Sequence, residues 1–319
     1  MLKYRGSSKD VHREGDAVVF DFTDRYSVFD WGEMPDQLEG KGAALAAVGA
    51  LFFELLGQKG VPHHYLGLEG ARGATRRMRV RPIEVLWPTK NGADLDYSSY
   101  AARPTGCLVP LEVIFRWGAP AGSSLLKRCP ELKPGTRFQR PVVEFTTKLE
   151  AEDRFLTYAQ AQAIAGLSDA EMARLIDRTT EVAIHMRDVL DLVSCGLWDG
   201  KLEWAFHGTE RDFMLVDAIG LDEIRVDFRG KALSKEFLRH HYRGSRWERA
   251  LDAAKAQARA GSGDFKALCP LAPEPLPVGV KMAAQTLYTS FANDLHLAVT
   301  GTALYPPHVN LAHWAREHA

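Results

Sequence analysis

The stretch Lys201-Leu-Glu-Trp-Ala-Phe206, the polar turn His207-Gly-Thr-Glu-Arg211 and the run Phe213-Met-Leu-Val-Asp-Ala-Ile219 read together as a β-hairpin. With the turn centred about Glu210, Leu202 faces Ala218, Trp204 faces Val216 and Phe206 faces Met214, which gives one wholly apolar face. Glu203 then lies opposite Asp217 on the other face, with Lys201 beside it. Two facing carboxylates repel unless a cation sits between them, and hard carboxylate oxygens suit an Mg²⁺ ion that also holds nucleotide phosphates. The same spacing also describes a solvated hairpin face with an ordinary Lys–Glu pair.

Outward from this hairpin, strand patterns occur at Ala17–Phe22, Met78–Val85, Val109–Phe115 and Val142–Phe145, with helical patterns between them, an α+β order. Residues 41–58 form a helix stopped by Gly60 and Pro62. A second spans 169–194, where Ser168 and Glu171 make a capping box and Met172, Leu175, Ile176, Val182, Met186, Val189, Leu190 and Val193 form one apolar stripe. Gly261–Pro277 reads as a flexible crossing or lid edge, and an amphipathic helix follows at about Lys281–Thr300.

Composition excludes several classes. The 319 residues carry 40 basic and 41 acidic side chains, so no global field holds nucleic acid, and any anion must be met by a local cluster. Cys107, Cys129, Cys195 and Cys269 lack C-x-x-C spacing and read as reduced thiols rather than a zinc site or a disulfide framework. The polar start, and apolar runs that stay short of the roughly 18 residues of a membrane span, predict a cytoplasmic protein with no membrane partner. The run from Ala43 to Leu56 reads as a buried helix, and oligomeric state is not legible.

Two further stretches can meet anions. Tyr4-Arg-Gly-Ser-Ser-Lys9 makes a small-residue turn where backbone N–H groups and a lysine approach phosphate, or else a plain surface turn. Pro110-Leu-Glu-Val-Ile-Phe-Arg116, followed by Trp-Gly-Ala-Pro-Ala-Gly-Ser-Ser124 and Lys127-Arg128, gives either an anion pocket at a strand end or a loop of solvated charges. His63 and His64 are adjacent in an extended segment, point opposite ways and read as packing and capping residues rather than a metal pair. The basic helix containing His240 and His241 is expected to border a cleft between lobes rather than to bind DNA. Arg72-Gly-Ala-Thr-Arg-Arg-Met-Arg79 is a solvated hairpin or a second contact to phosphate.

In order, these motifs resemble those of the SAICAR synthetase family. Tyr4–Val11 is similar to its nucleotide-covering turn, and Thr23-Asp-Arg-Tyr-Ser-Val-Phe-Asp30 to TDR-x-S-x-FD. Gly40-Lys-Gly42 opens a helix as in the family, and Gly60-Val-Pro-His-His-Tyr65 is similar to G-I/V-P-T-H-F. Pro110–Arg116 with Gly122-Ser123 resembles P-L-E-V-V-V-R…G-S. Lys201-Leu-Glu203 with Asp217 and Arg225 resembles K-x-E…D followed by an arginine.

The resemblance implies an α+β, two-lobed fold with ATP in the cleft between a small N-terminal lobe (1–105) and a larger C-terminal lobe (106–319). It implies an ATP- and Mg²⁺-dependent ligase that activates the carboxylate of a ribosyl-imidazole nucleotide as an acyl phosphate and joins it to the amine of aspartate. Small-molecule nucleotide and amino-acid substrates are then its partners. By the same resemblance, Gly6, Ser7, Ser8, Lys9 and Lys201 serve ATP, and Glu203 and Asp217 hold the metal. Arg116, Ser123, Asp222 and Arg225 bind the carboxylate-bearing substrate, with Lys201, Arg116 and Arg225 as the catalytic set.

The departures fall on the acceptor side. The family pattern D-E-x-x-S/T-P-D-S/G-x-R-F/L-W is here Asp217-Ala-Ile-Gly-Leu-Asp-Glu-Ile-Arg-Val-Asp227. Asp217, Asp222 and Arg225 are kept, while Ala218, Leu221 and Asp227 replace the glutamate, proline and tryptophan. The loops at 117–121 and 149–155 also differ. The alternatives are a paralogue that keeps the chemistry with another carboxylate or amine, and a nucleotide-binding protein without catalysis.

Overall fold

Two antiparallel sheets organise the computed structural model, which describes residues 1–91, 94–150, 152–261 and 263–318. Ala151, within the divergent loop 149–155, and Ser262, at the start of the expected crossing, lie outside the described residues. The first sheet has the order β1 (Leu2–Arg5), β2 (Lys9–Glu14), β3 (Ala17–Phe22), β5 (Arg77–Val80), β4 (Tyr65–Leu68). A two-stranded hairpin, β6 (Thr89–Asn91) and β7 (Asp94–Asp96), follows. The second sheet runs β10 (Phe155–Leu156), β9 (Thr136–Thr147), β8 (Leu111–Ala119), β11 (Cys195–His207), β13 (Ile224–Phe228), β14 (Lys231–Ala232), with β12 (Asp212–Val216) paired to the far half of β11.

The helices are α1 (Lys41–Gln58), α2 (Ser98–Ala101), α3 (Leu125–Arg128), α4 (Tyr158–Ala165), α5 (Asp169–Asp191), α6 (Ser234–Tyr242), α7 (Arg246–Ala260), α8 (Phe265–Leu268), α9 (Val278–Thr300) and α10 (Leu311–Glu317). This is the expected α+β, two-lobed arrangement.

Alternation along the second sheet makes one dry face and one charged face. Leu111, Val113 and Phe115 of β8, Val143 and Phe145 of β9, Leu202 of β11 and Ile224 and Val226 of β13 are buried in the main core. There they meet α5, whose Met172, Leu175, Val182, Met186 and Leu190 are the buried stripe. The residues between them point the other way: Glu112 and Arg116, Glu144, Asp199, Lys201 and Glu203, and Arg225. The ladders set Arg116 opposite Asp199, and Asp199 opposite Arg225, so these charges lie side by side. Gly200 is required in this weave, because a Cβ there would sit 2.5 Å from the Phe115 ring.

The capping box of α5 forms as expected: Ser168 Oγ accepts from Glu171 N–H at 3.3 Å, and Glu171 Oε2 accepts from Ser168 N–H at 2.8 Å. The helix ends at Asp191 rather than 194, just before Ser194 with φ 55°. α1 matches its expected span and packs against the first sheet and α9. It is long and apolar enough to cross a membrane, yet 78% of that window is buried inside the protein, as in a core helix. The segment 261–277 contains the short helix α8 and the buried Leu276, whose N–H donates to Asp36 Oδ2 at 2.6 Å.

The central hairpin differs from the sequence reading by one residue. Glu203 pairs with Val216, Trp204 with Leu215, Ala205 with Met214 and Phe206 with Phe213. Both faces are therefore packed: Trp204, Phe206, Phe213 and Leu215 join the main core, while Ala205, Met214 and Val216 form a small second cluster with Leu108 and Leu149. Glu203 is not opposite Asp217. The strand ends at Val216 and Asp217 turns into left-handed backbone at φ 64°, so the run expected to reach Ile219 stops early. The expected strand Met78–Val85 likewise stops at Val80, two residues before Pro82, whose missing N–H cannot continue a ladder.

Candidate active site

The charged sheet face carries two linked clusters. In the first, Lys201 Nζ donates to Glu112 Oε1 at 2.5 Å, and Lys148 Nζ bridges Glu112 at 3.3 Å and Glu203 Oε1 at 2.6 Å. Lys9, at the start of β2, reaches across from the first sheet to within 2.5 Å of Asp217 Oδ1. The segment before β4 holds Asp217 from behind. Leu215 N–H donates to Pro62 O at 2.8 Å, His64 N–H donates to Leu215 O at 3.1 Å, and a His64 ring nitrogen bonds Asp217 O at 2.9 Å.

The one-residue shift therefore does not separate the two carboxylates electrostatically. Burial, and then the Asp217 charge, push the Glu203 carboxyl up, against Lys148 and Lys201. Burial also opposes ionisation of Asp217, but Lys9 and then Lys148 hold it well below the usual carboxylate range. Lys9 is the mirror case: burial works against its charge, and Asp217 and Glu223 raise its pKa. Among the described residues no group of three or more His, Cys, Asp or Glu is set to hold a metal. A cation here would have the Glu203 and Asp217 carboxylates alone, a hard-oxygen pair that fits Mg²⁺ whose remaining positions go to water and phosphate.

The turn Gly6–Lys9 sits beside this cluster. Gly6 N–H donates to Lys9 O at 2.9 Å, and a Cβ at Gly6 would lie 2.7 Å from that oxygen, so the tight turn depends on glycine. Ser7 is exposed at the tip, while Ser8 is buried and its carbonyl accepts from Thr23. Lys201, expected beside Glu203 and Asp217, instead holds Glu112. The cation on Glu203 is Lys148.

The second cluster is built on arginine. Arg116, buried, binds Glu144, donates to Asp199 Oδ2 at 3.1 Å, and lies 3.5 Å from Ser123 Oγ and 3.3 Å from Ser124 Oγ. Arg225 Nε lies 3.7 Å from the other oxygen of Asp199, and its Nη1 is buried without a hydrogen-bond partner. Glu236, at the start of α6, collects Arg239 at 3.2 Å and Arg243 at 2.9 Å. The structure thus brings Arg116, Ser123 and Arg225 together, as the sequence suggests.

Asp222 is placed differently. Its side chain is fully buried, 2.7 Å from Lys41 Nζ and accepting from Tyr288 O–H of α9 at 2.8 Å, with Lys235 Nζ at 3.8 Å. Burial opposes its charge, but Lys235 and Lys41 hold its pKa down, at about 2. Such a residue is a hub behind the site rather than a surface that meets substrate.

His63 and His64 both pack on Phe53, as packing residues. Sequence reasoning missed Glu112, Lys148, Asp199, Glu223, Lys235 and Glu236. Glu112 was findable, since it shares the alternation of Arg116 on β8. Asp199 was findable in the same way, two residues before Lys201 on β11, while Lys148, Glu223, Lys235 and Glu236 are joined to the site by tertiary contacts.

Comparison with known proteins decides what this arrangement belongs to. The SAICAR synthetase family model matches residues 2–254. The chain belongs to the SAICAR synthetase family. It is therefore an ATP-dependent ligase that forms a C–N bond, with the family's place in purine biosynthesis. An Archaeoglobus fulgidus protein, named provisionally a phosphoribosylaminoimidazole-succinocarboxamide synthase, is 40% identical over 302 residues, covering 86% of this chain and 87% of its own.

The fold is also that of solved family structures. A SAICAR synthetase (type 2) in complex with ADP aligns at TM-score 0.62 and 22% identity, over 94% of this chain and 98% of its own. The Saccharomyces cerevisiae SAICAR synthase complexed with SAICAR aligns at TM-score 0.65 and 19% identity, over 95% of each chain.

Proposed function

We propose that the chain joins the carboxylate of a ribosyl-imidazole nucleotide to the amine of aspartate through an acyl phosphate, at the cost of one ATP. The supporting observation is that one sheet face carries a lysine–carboxylate cluster and an arginine cluster side by side. Phosphoryl transfer between two anions needs both: charge neutralisation around the phosphates and a fixed position for the attacking carboxylate.

In this reading Gly6, Ser7, Ser8 and Lys9 cover the nucleotide phosphates, with Lys201 as a further donor. Glu203 and Asp217 would hold Mg²⁺, which when bound neutralises charge on those phosphates. Arg116, Ser123 and Arg225 hold the carboxylate-bearing nucleotide, and the buried unpartnered Nη1 of Arg225 is a donor for it. A substrate carboxylate oxygen attacks the terminal phosphorus and ADP leaves. The amine nitrogen then attacks the acyl carbon, and the C–O bond breaks with its electron pair leaving on inorganic phosphate.

A second reading keeps this chemistry with a different carboxylate or amine. It is favoured by positions 218 and 227, a glutamate and a tryptophan in the family pattern. Here Ala218 is buried in the core, and Asp227 accepts from Trp198 Nε1–H at 2.6 Å. The test crosses carboxylate nucleotides with amino acids in the presence of ATP and Mg²⁺ and reads ADP and product mass. Turnover of the imidazole carboxylate nucleotide with aspartate alone supports the first reading. Turnover only with another pair supports the second, and no ADP with any pair refutes both.

A further inference from the structure

Glu223 is a carboxylate near Lys9 and Asp217 for which neither reading has a use. It is the last residue of the turn before β13, two residues before Arg225. Its backbone is fixed: its N–H donates to Gly220 O at 3.1 Å, and its carbonyl accepts from Lys201 N–H at 3.0 Å. The charges that act on its side chain are Lys9 and Asp217 of the lysine–carboxylate cluster and Lys235 and Asp222 of the buried hub, and one carboxylate oxygen lies 3.5 Å from where a Cβ on Gly220 would sit.

Both lysines are already committed. Lys9 is 2.5 Å from Asp217, and Lys235 is 3.8 Å from Asp222. Glu112, Glu203, Asp199 and Glu236 each hold a cation within 4 Å. Among the described residues, the Glu223 carboxylate has no hydrogen bond and no cation within 4 Å, so Lys235 and Lys9 act on it only through longer-range charge.

A partly buried carboxylate without a fixed cation, beside the lysine–carboxylate cluster proposed to hold the phosphates, is matched by a substrate cation. We propose that Glu223 binds the ammonium group of the amino-acid substrate and prepares it for attack. This rests on the ligase reading above. The ammonium gives one proton to the Glu223 carboxylate and becomes an amine. Its nitrogen lone pair forms the C–N bond as the acyl C–O bond breaks toward phosphate, and the departing phosphate takes the second nitrogen proton. Burial, and then the adjacent Asp222, push the Glu223 carboxyl up to about 7, which suits a group that takes and returns a proton near neutrality.

The test compares wild type, Glu223→Gln and Glu223→Asp in the full chain with ATP, Mg²⁺ and the carboxylate nucleotide, varying aspartate or hydroxylamine. Hydroxylamine is uncharged at neutral pH and needs neither an ammonium partner nor a base. For Glu223→Gln, kcat/KM for aspartate should fall by about 100-fold or more, the scale of a lost general base. KM for ATP should stay within about twofold, the hydroxylamine rate should be largely kept, and Glu223→Asp should recover part of the aspartate rate.

An equal loss with both nucleophiles, a shift confined to ATP, or an unaffected aspartate rate overturns the inference. Wild type that turns over aspartate together with an unaffected Glu223→Gln refutes this inference alone. Wild type that releases no ADP with any amine refutes the ligase reading and this inference with it.

Discussion

Lys41→Met tests whether Asp222 is a hub or a substrate contact. Lys41 and Asp222 are both fully buried and 2.7 Å apart, so removing the ammonium leaves a carboxylate with only Tyr288 and the more distant Lys235. Breaking a buried pair from one side costs about 3–5 kcal/mol. For 319 residues at about 2.1 cal/mol/K per residue, the unfolding entropy near the midpoint is about 0.7 kcal/mol/K, so Tm should fall by about 4–7 °C.

Asp222→Asn should cost a similar amount, because it strands the lysine. The double variant Lys41→Met with Asp222→Asn should be less destabilised than the sum, with a coupling of about 2 kcal/mol. Thermal melts followed by circular dichroism give all three values. Additive losses would refute the pair. So would an Asp222→Asn protein that melts like wild type but needs about tenfold more carboxylate nucleotide for half-saturation, because Asp222 would then be touching substrate.

Three other outcomes follow from the site. Glu203→Gln should leave the fold intact and raise the Mg²⁺ concentration needed for half-maximal ADP release by about 10- to 100-fold, the usual effect of weakening a metal's surroundings; an unchanged Mg²⁺ requirement refutes the metal assignment. Arg225→Ala removes a charge-assisted donor worth about 1.5–3 kcal/mol, so KM for the carboxylate nucleotide should rise about 10- to 100-fold while KM for ATP stays flat, as read by ADP release with each substrate varied in turn. His64 should make stability fall as pH drops. Burial lowers its pKa from 6.5 to about 4, so the unfolded chain binds the proton first, and stability present above about pH 6.5 is lost progressively down to about pH 4. The full span is on the order of 3 kcal/mol, and urea melts of His64→Gln across that range should show a shallower slope than wild type.

The legible parts of this molecule were those fixed by local pattern. The span of α1, the capping box of α5 and the strand Ala17–Phe22 depend on residues within a few positions of one another. Arg116, Ser123 and Arg225 could be grouped because motif order carried them, and the ladders then set Arg116 and Arg225 on either side of Asp199. The hairpin register could not be read, since Phe206 with Phe213 is as apolar a pair as Phe206 with Met214, and alternation alone does not choose between them. The choice is made by long-range partners: Leu215 is claimed on its outer edge by Pro62 and His64. Lys148 was hidden for the same reason, because its two carboxylates lie 36 and 55 residues away in the chain.

The shifted register explains how two buried carboxylates can share a site. Directly opposite on a ladder, Glu203 and Asp217 would have side chains about 5 Å apart with no room for separate counterions. The left-handed turn at Asp217 costs about 1–2 kcal/mol for a residue with a Cβ, and it takes the carboxylate out of the ladder. Once out, Asp217 meets Lys9 from the other sheet while Glu203 keeps Lys148 on its own. The pair remains coupled enough to raise Glu203, so a divalent cation added between them would relieve a repulsion already present. It would also weaken the hold of Lys9 on Asp217 and leave that lysine for phosphate. The strained residue therefore links the lobes through a contact that nucleotide and metal can exchange, which is why Lys9→Met should cost more in ATP affinity than in stability.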